Sequence, residues 1–289
     1  MQPLLANLVD LLRLERLDRD LFRGTSQDLG WGAIFGGQVL GQALSAAAQT
    51  VPADRPAHSL HAYFLRAGDL QRPIVYQVER IRDGASFATR RVVAVQEGSA
   101  IFTLAASFQV SEPGFDHADA MPEVPGPEGL PSERDLALAL GERLPAALRA
   151  MATAERPIEL RPVVPRDPLA PEKVAPVRHI WVRAIDRLPD DDALHRYLLA
   201  YASDFSLLGT SLDPHGLSWL TRGLQIASLD HAMWFHRPLR LDEWLLYAID
   251  SPSASGARGL VRGQFFDQQG RLVASVMQEG LIRLRGNLG

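Results

Sequence analysis

The sequence contains no cysteine. This absence excludes disulfide bonds, a thiolate nucleophile and zinc held by cysteine, and it suits a reducing compartment. We therefore expect a cytoplasmic protein without a redox-active thiol. No block of Lys and Arg stands apart from the acidic residues, and the formal net charge is −4, so nucleic acid is not an expected partner.

Long apolar runs and several catalytic motifs are also missing. No segment approaches the roughly 18 uninterrupted apolar residues of a membrane span. Residues 1–20 interrupt apolar positions with Asp and Arg, which predicts an amphipathic helix and not a signal peptide. The ending RGNLG is not a peroxisomal signal. Without a Gly-x-Ser-x-Gly motif or paired helical histidines, we expect no serine acyl-enzyme, no metal and no cofactor.

A proline- and glycine-rich stretch divides the sequence near its middle. Residues 111–133 contain five prolines and little periodicity, which is typical of a linker. We predict an N-terminal unit over residues 1–111, a linker with a helical segment over residues 112–156, and a C-terminal unit over residues 157–289.

Each half shows a strand, a helix and several alternating strands in the same order. In the first half, glycines open a nearly all-apolar helix over residues 36–51, and this pattern predicts burial. In the second half, the acidic residues 190–192 suit a helix start and Gly209 suits its end. Strands rich in β-branched and aromatic residues, separated by glycine turns, follow each helix and predict antiparallel hairpins.

The halves also match residue by residue. TLAASFQ aligns with LVASVMQ at an offset of 169, which pairs Gln109 with Gln278 and also Ser59 with Ser228. A helix wrapped by a curved antiparallel sheet, occurring twice, predicts an α+β protein with the double-hotdog architecture. The helix of the first half contains no acidic residue, so we expect one complete site per chain, in the second half.

Seven long motifs span nearly the whole chain. They are GWGAIFGGQVLGQAL, HSLHAYFLRAGD, VERIRDGASFATRRV, AASFQ, YASDFSLLGTSL, SLDHAMWFHRP and SASGARGLVRGQFFDQQGRLVASVMQEGLIR. Through these motifs the chain closely resembles the type II acyl-CoA thioesterase (TesB) family. The resemblance implies a double-hotdog enzyme that hydrolyses fatty acyl-CoA, of medium to long chain length, to free fatty acid and CoA. It also implies a homo-oligomer, either dimer or tetramer.

The same resemblance implies a catalytic trio. The family's Asp, Thr or Ser, and Gln match Asp204 in YASDFS, Ser228 in IASLDH and Gln278 in VMQEG. Ser228 stands where Thr is more usual, and it keeps the hydroxyl. On this hypothesis Asp204 lies on a buried helix, where burial raises its pKa, and it takes a proton from a water that Ser228 and Gln278 hold.

Several further residues are candidates for the site. His58 is a secondary candidate for a general base, because imidazole titrates near neutral pH, although a local structural role is the alternative. Trp234, Phe235 and His236, together with His231, are candidates for binding the acyl or pantetheine part of the substrate. Packing at a sheet edge is the alternative for this group.

Glycine-rich segments supply two more candidates. Arg258 and Gly259 follow a turn that permits close backbone approach, and Arg258 could bind a CoA phosphate. The N–H groups of Gly36 and Gly37, at a helix start, are suited to binding an oxyanion.

Two other functions remain open from the sequence. One is a non-catalytic acyl-CoA-binding hotdog protein, although all three positions of the trio carry competent side chains. The other is a hotdog enoyl-CoA hydratase or dehydratase, although Asp204 itself is not followed by a histidine at the Asp-x4-His spacing.

Overall fold

The computed structural model describes residues 1–285 as five α-helices, two 3-10 helices and thirteen β-strands. The helices are α1 (Pro3–Leu12), α2 (Gly36–Ala48), α3 (Glu133–Leu140), α4 (Ala146–Thr153) and α5 (Asp192–Ser203), with 3-10 helices at Gly141–Arg143 and Leu208–His215. The strands are β1 (Glu15–Asp18), β2 (Leu21–Gly24), β3 (Ala57–Phe64), β4 (Ile74–Asp83), β5 (Phe87–Gln96), β6 (Ser99–Gln109), β7 (Ile158–Pro162), β8 (Val177–Ala184), β9 (Leu224–Ser228), β10 (Asp230–Phe235), β11 (Leu245–Ser255), β12 (Arg258–Asp267) and β13 (Leu272–Leu284). Residues 286–289, which include most of the RGNLG ending and the end of the predicted C-terminal unit, lie outside the described residues.

The strands of the described residues form one antiparallel sheet with a contribution from each half of the sequence. Its order is β1-β2-β4-β5-β6-β3 followed by β10-β13-β12-β11-β8-β7, and β9 pairs with β13 off this path. The two parts join where β3 runs antiparallel to β10, with Leu60 opposite Met233. Backbone hydrogen bonding is therefore continuous from one part of the sheet into the other.

Helices α2 and α5 pack against each other and share one apolar core with the inner face of the sheet. Eleven of the 13 residues of α2 are buried, which confirms the prediction from its apolar pattern. Glycines allow the two helices to approach closely. A Cβ added to Gly37 would lie 2.2 Å from the carbonyl oxygen of Tyr201, and one added to Gly41 would lie 3.0 Å from that of Tyr197.

The predicted N-terminal amphipathic helix is confirmed as α1. Pro3 occupies its first turn, where the missing N–H costs no hydrogen bond. Its apolar face packs into the same core through Leu5, Leu8, Val9 and Leu12. None of the helices within residues 1–285 has the length and apolar character that crossing a membrane requires.

Residues 110–132, which we call the strap, contain neither helix nor strand, as their composition predicts. The strap is nevertheless fixed to the outer face of the sheet. Gln264 donates a 2.7 Å hydrogen bond to Asp119, and the Trp181 ring N–H donates a 2.8 Å bond to the carbonyl oxygen of Pro125. Strap side chains also cover a second apolar cluster, formed by Trp181, Trp244, Leu246, Phe266 and Leu272.

The helix of the second half ends earlier than predicted. As the acidic start predicts, α5 begins after Asp191, whose side chain accepts hydrogen bonds from two N–H groups of the first turn. It ends at Ser203 and not at Gly209, because Ser206 has a left-handed backbone, with φ of 60°, that a right-handed helix does not contain. Asp204 therefore lies just beyond the helix and not on it.

The repeat offset of 169 is wrong by one residue in β6 and β13. Inward and outward side chains alternate along a strand, and Phe108 of β6 and Gln278 of β13 are both buried, whereas Gln109 is partly exposed. Only an even offset matches the inward faces, and the even offset of 170 pairs Phe108 with Gln278. Ser59 lies on β3, whereas Ser228 lies on β9, which pairs with β13. Neither Gln109 nor Ser59 occupies the place of its predicted counterpart.

Candidate active site

Asp204 lies where the C-terminus of α5 meets the N-terminus of α2. It is the half-buried cap residue of α5, and the N–H of Gly37 lies close enough to its carboxylate to lower the pKa. A Cβ added to Gly36 would lie 2.7 Å from Oδ2 of Asp204. The two glycines thus allow the carboxylate to reach the positive end of α2. The Gly37 N–H, a predicted oxyanion donor, is engaged by Asp204.

The Gln278 amide connects the three residues predicted as the trio. Gln278 is only 1% exposed and points inward from β13. Its Nε2 donates a 2.7 Å hydrogen bond to Oγ of Ser228 at the end of β9. The amide also lies close enough to the Asp204 carboxylate to lower the pKa of that group. Residues separated by up to 74 positions in the sequence therefore meet at one point.

The environment of Asp204 sets its pKa near neutral pH. Burial raises the pKa from its ordinary value of 3.8 to about 6, while the hydrogen bonds from the Gly37 N–H and the Gln278 amide lower it in part. A carboxylate with this pKa is ionised at neutral pH and still basic enough to accept a proton.

An aromatic cluster forms one wall beside Asp204. Phe35, the cap residue of α2, stacks on Phe205, with ring centroids 4.4 Å apart. Tyr201 of α5 packs edge-on to Phe35 at 5.2 Å, and Trp31 packs edge-on to the same ring at 5.1 Å. Apolar rings from both halves of the chain therefore pack together where α5 meets α2, and Phe205 among them is next to Asp204 in the sequence.

His231 lies behind Gln278, a place that the sequence did not assign to it. Its Nδ1 is 2.6 Å from Oε1 of Gln278, and its Nε2 is 3.0 Å from Oγ of Ser203. The imidazole is 1% exposed, and burial lowers its pKa to about 4, so it is neutral near pH 7. The alternation His-x-Met-x-Phe in β10, which points residues 231, 233 and 235 inward, is the signal that could have located it.

His58 is not brought to the trio. Its Nε2 is 2.8 Å from Oγ of Ser107, and its ring packs edge-on to Phe87. Ala62, four residues further along β3, is the residue that pairs with His231. The two histidines are thus separated along the strands by roughly 13 Å. These contacts agree with the alternative interpretation of His58, namely a local structural role.

The aromatic candidates on β10 also lie away from the trio. Trp234 points to the outer face, with its ring 5.2 Å from that of His61. Phe235 points inward and lies beneath the guanidinium of Arg196 at 5.4 Å. His236 contacts a serine of β13 at 2.9 Å. Among the described residues, none of the contacts of these three side chains reaches Asp204, Ser228 or Gln278.

Contacts within the protein involve both candidate residues of the turn before β12. Arg258 donates a 2.9 Å hydrogen bond to Glu279, the neighbour of Gln278. A Cβ added to Gly259 would lie 2.5 Å from Oγ of Ser211, so the glycine is required for the 3-10 helix to pack on β12. Packing therefore explains Gly259, while Arg258 remains a half-exposed cation near the site.

The site offers a basic carboxylate, a hydroxyl and an oriented amide. These are the groups that bind and deprotonate a water molecule aimed at a carbonyl carbon. Within residues 1–285, no cluster of three His, Asp or Glu side chains could hold a metal ion. The chemistry of the three assembled residues therefore fits general-base hydrolysis.

Two family models match the chain. One, described as acyl-CoA thioesterase, matches residues 147–281, and the other, described as acyl-CoA thioesterase N-terminal domain, matches residues 25–109. Together they include β9, α5 and β13, which carry or adjoin the residues at the site.

Individual proteins are similar over nearly the full length. Acyl-CoA thioesterase 2 of Haemophilus influenzae is 45% identical, and the alignment covers 98% of this chain and 99% of the relative. Acyl-CoA thioesterase II TesB2 of Mycobacterium marinum is 45% identical in its crystal structure, with a TM-score of 0.80 and coverage of 98% and 99%. A protein of unknown function with a hotdog fold from Alicyclobacillus acidocaldarius is 20% identical, with a TM-score of 0.77 and coverage of 96% and 98%. These likenesses confirm the double-hotdog prediction.

Proposed function

Because the chain belongs to the acyl-CoA thioesterase family, we propose that it hydrolyses fatty acyl-CoA to free fatty acid and CoA through a water held by Asp204, Ser228 and Gln278. The proposed acyl chains are of medium to long length. One observation carries the assignment of these residues, namely that the Gln278 amide donates to the Ser228 hydroxyl and lies beside the Asp204 carboxylate, whose ionised form it favours.

Asp204 is the proposed general base. Its pKa of about 6 leaves it ionised at pH 7 and able to take a proton from water as the oxygen attacks the thioester carbonyl. The new carbon–oxygen bond gives a tetrahedral intermediate. When this intermediate collapses, the carbon–sulfur bond breaks, and the proton on Asp204 passes to the departing sulfur of CoA.

Ser228 and Gln278 orient the reacting water in this mechanism. The Ser228 oxygen accepts a hydrogen bond from Gln278, so the serine hydrogen is left to donate to the water oxygen. Gln278 keeps the carboxylate turned towards the same point. The positive end of α2 lies against Asp204 and favours the ionised form of the base.

The proposal also covers the domain organisation, the assembly and the cellular location of the enzyme. We propose the division into two units with boundaries near residues 111 and 157, one active site per chain, assembly as a homo-oligomer, and a cytoplasmic location, which the cysteine-free sequence supports. Size-exclusion chromatography with light scattering would test the assembly, and cell fractionation would test the location.

The central test is a thiol-release assay on acyl-CoA substrates from butanoyl to stearoyl. We expect turnover by the wild type, with a maximum among the medium to long chains. We expect Asp204→Asn to lower kcat by about 10²–10⁴-fold, the usual effect of removing a general base, while substrate binding is retained. The kcat of the wild type should fall below pH 6, because protonation removes the base.

Gln109 provides a matched control, because it ends β6 as a partly exposed side chain. Gln278→Ala should lose activity, whereas Gln109→Ala should keep that of the wild type. Tight binding without thiol release at any chain length would instead indicate a non-catalytic binding protein. Loss of enoyl absorbance without thiol release would indicate a hydratase.

A further inference from the structure

The orientation of the Gln278 amide decides whether its nitrogen or its oxygen faces Ser228 and Asp204. In the structure Nε2 of Gln278 donates to Ser228, Oε1 faces His231, and the amide favours the ionised form of Asp204. A rotation of the amide by 180° would place Oε1 against the carboxylate. Two acceptors would then face each other, and Asp204 would lose one of its donors.

His231 can hold the amide in one orientation only if its Nδ1 carries the hydrogen. Oε1 of Gln278 is an acceptor, so the 2.6 Å contact requires Nδ1–H as donor. A neutral ring then leaves Nε2 as an acceptor. Oγ of Ser203 lies 3.0 Å from Nε2 and 2.9 Å from the carbonyl oxygen of Ala200, so its single hydrogen faces two acceptors. The Nδ1–H tautomer requires that this hydrogen is donated to Nε2.

The backbone around Ser203 keeps this partner in place. Ser203 is the last residue of α5 and is fully buried. The hydroxyl of Tyr247 donates a 2.8 Å hydrogen bond to the carbonyl oxygen of Ser203, and the Tyr247 ring stacks on Phe265 at 3.9 Å. The chain of contacts from Ser203 through His231 to Gln278 is therefore buried along its whole length.

We propose that His231 is a positioning residue, which fixes the Gln278 amide with its nitrogen towards Asp204 and Ser228. The inference rests on the proposed function, because its consequence for activity depends on Asp204 as the base. His231 itself has no contact with the reacting groups in this scheme. Its effect on the rate passes through Gln278.

Two substitutions of His231 distinguish the role of Nδ1 from that of Nε2. In His231→Asn the side-chain nitrogen can occupy the place of Nδ1 and still donate to Gln278. In His231→Gln the amide reaches the place of Nε2 and can contact only Ser203. We expect the Asn variant to keep kcat within about tenfold, and the Gln variant to lose roughly 10²-fold, as expected when a reacting geometry is misplaced. KM should change little in both.

A purely structural role predicts a different order. If His231 serves to hold Ser203 and the end of α5, His231→Gln should be the better variant, and that result would overturn the proposal. Equal and wild-type kcat in both variants would also overturn it. Urea unfolding of both variants establishes that each is folded at the assay temperature, and His231→Leu, which removes both nitrogens, should match the Gln variant in kcat.

The dependence on Gln278 gives a second measurement. In the Gln278→Ala background, His231→Gln should lower kcat by less than twofold, because the group that it positions is absent and the two effects are not additive. A further full loss in the double variant would show that His231 acts by another route.

The tautomer can be observed without any substrate. Nitrogen-15 NMR of the wild type should show the His231 ring as the neutral Nδ1–H form, and an Nε2–H form would contradict the inference. Wild-type thiol release with equal kcat for the Asn and Gln variants would refute the role of His231 alone. Absence of thiol release with an Nδ1–H ring would refute the proposed function and leave the hydrogen-bond assignment standing.

Discussion

At the scale of single residues, Asp204 is held in a balance between burial and hydrogen bonding. Burial opposes the ionised form and raises the pKa to about 6, while the Gly37 N–H and the Gln278 amide favour ionisation. The raised pKa of Asp204 therefore lowers the stability of the fold at any pH at which the carboxylate is ionised.

This cost gives a pH-dependent prediction for Asp204→Asn. The folded pKa of about 6 lies above the ordinary 3.8, so between these values the folded state binds more protons than the unfolded one, and stability falls as pH rises. At pH 7.5 the Asn variant should be more stable than the wild type by roughly 1–2 kcal/mol, allowing for partial solvent contact. Urea unfolding at pH 7.5 and pH 4 measures the difference, which should nearly vanish at pH 4.

The exposed surface acid Asp10 provides the control. Asp10→Asn should change the free energy of unfolding by less than about 0.5 kcal/mol at either pH. If Asp204→Asn were instead destabilised at pH 7.5 relative to the wild type, the hydrogen bonds to the carboxylate would outweigh its burial.

At the scale of elements, the approach of α2 to α5 depends on a glycine. A Cβ on Gly37 would lie 2.2 Å from the carbonyl oxygen of Tyr201 and 2.5 Å from the ring of Phe35. Backbone cannot move aside cheaply, so Gly37→Ala should destabilise the fold by about 3 kcal/mol or more and should also disturb the hydrogen bond to Asp204. Thermal unfolding and the thiol-release assay measure the two effects.

Gly209 is a matched control for this substitution. Its nearest neighbour would be Arg178 at 3.6 Å, an ordinary contact. Gly209→Ala should keep both stability, within about 0.5 kcal/mol, and activity. A similar loss in both variants would mean that the close contact of α2 with α5 is not the cause.

The elements show how far the sequence could predict the structure. The buried helix after Gly36 and the strands with alternating residues were predictable, because their periodicity records which face is apolar. The end of α5 was not, since the left-handed backbone at Ser206 is imposed on a residue with no special preference for it. The match of Gln109 with Gln278 was wrong because it was based on similar residues in the two segments. It did not take into account which side chains of each strand point inward and which point outward.

The site, too, could be predicted from the sequence only in part. Family motifs located Asp204, Ser228 and Gln278, and the structure brings these residues together. His231 was left among residues near the substrate, because its meaning depends on a hydrogen bond to a strand 47 residues away. Contacts of this kind follow from tertiary packing, which local patterns do not encode.

At the scale of the whole molecule, the two parts of the sheet are joined in two ways. Strands β3 and β10 pair across the junction, and α2 packs on α5 within one apolar core. The strap crosses to the second part and covers its outer apolar cluster. We therefore expect the chain to unfold as one cooperative unit and not as two domains.

Tryptophan fluorescence can test this cooperativity. Trp31 is the single tryptophan before residue 181, so in Trp31→Phe the fluorescence reports on the second half alone. In urea, the midpoint by fluorescence of this variant should coincide with the midpoint by far-UV circular dichroism, which reports on both halves. Two separate midpoints would show that each half unfolds independently.

The hydrogen bond from Gly37 to Asp204 has a genetic consequence. The stretch of gene that encodes the first hundred residues supplies none of the three proposed water-binding side chains, yet its product touches the base directly. If Asp204 is the base, as proposed, substitutions in the first half that disturb this contact also lower the rate of hydrolysis. The half without the acid is then constrained by activity as well as by folding.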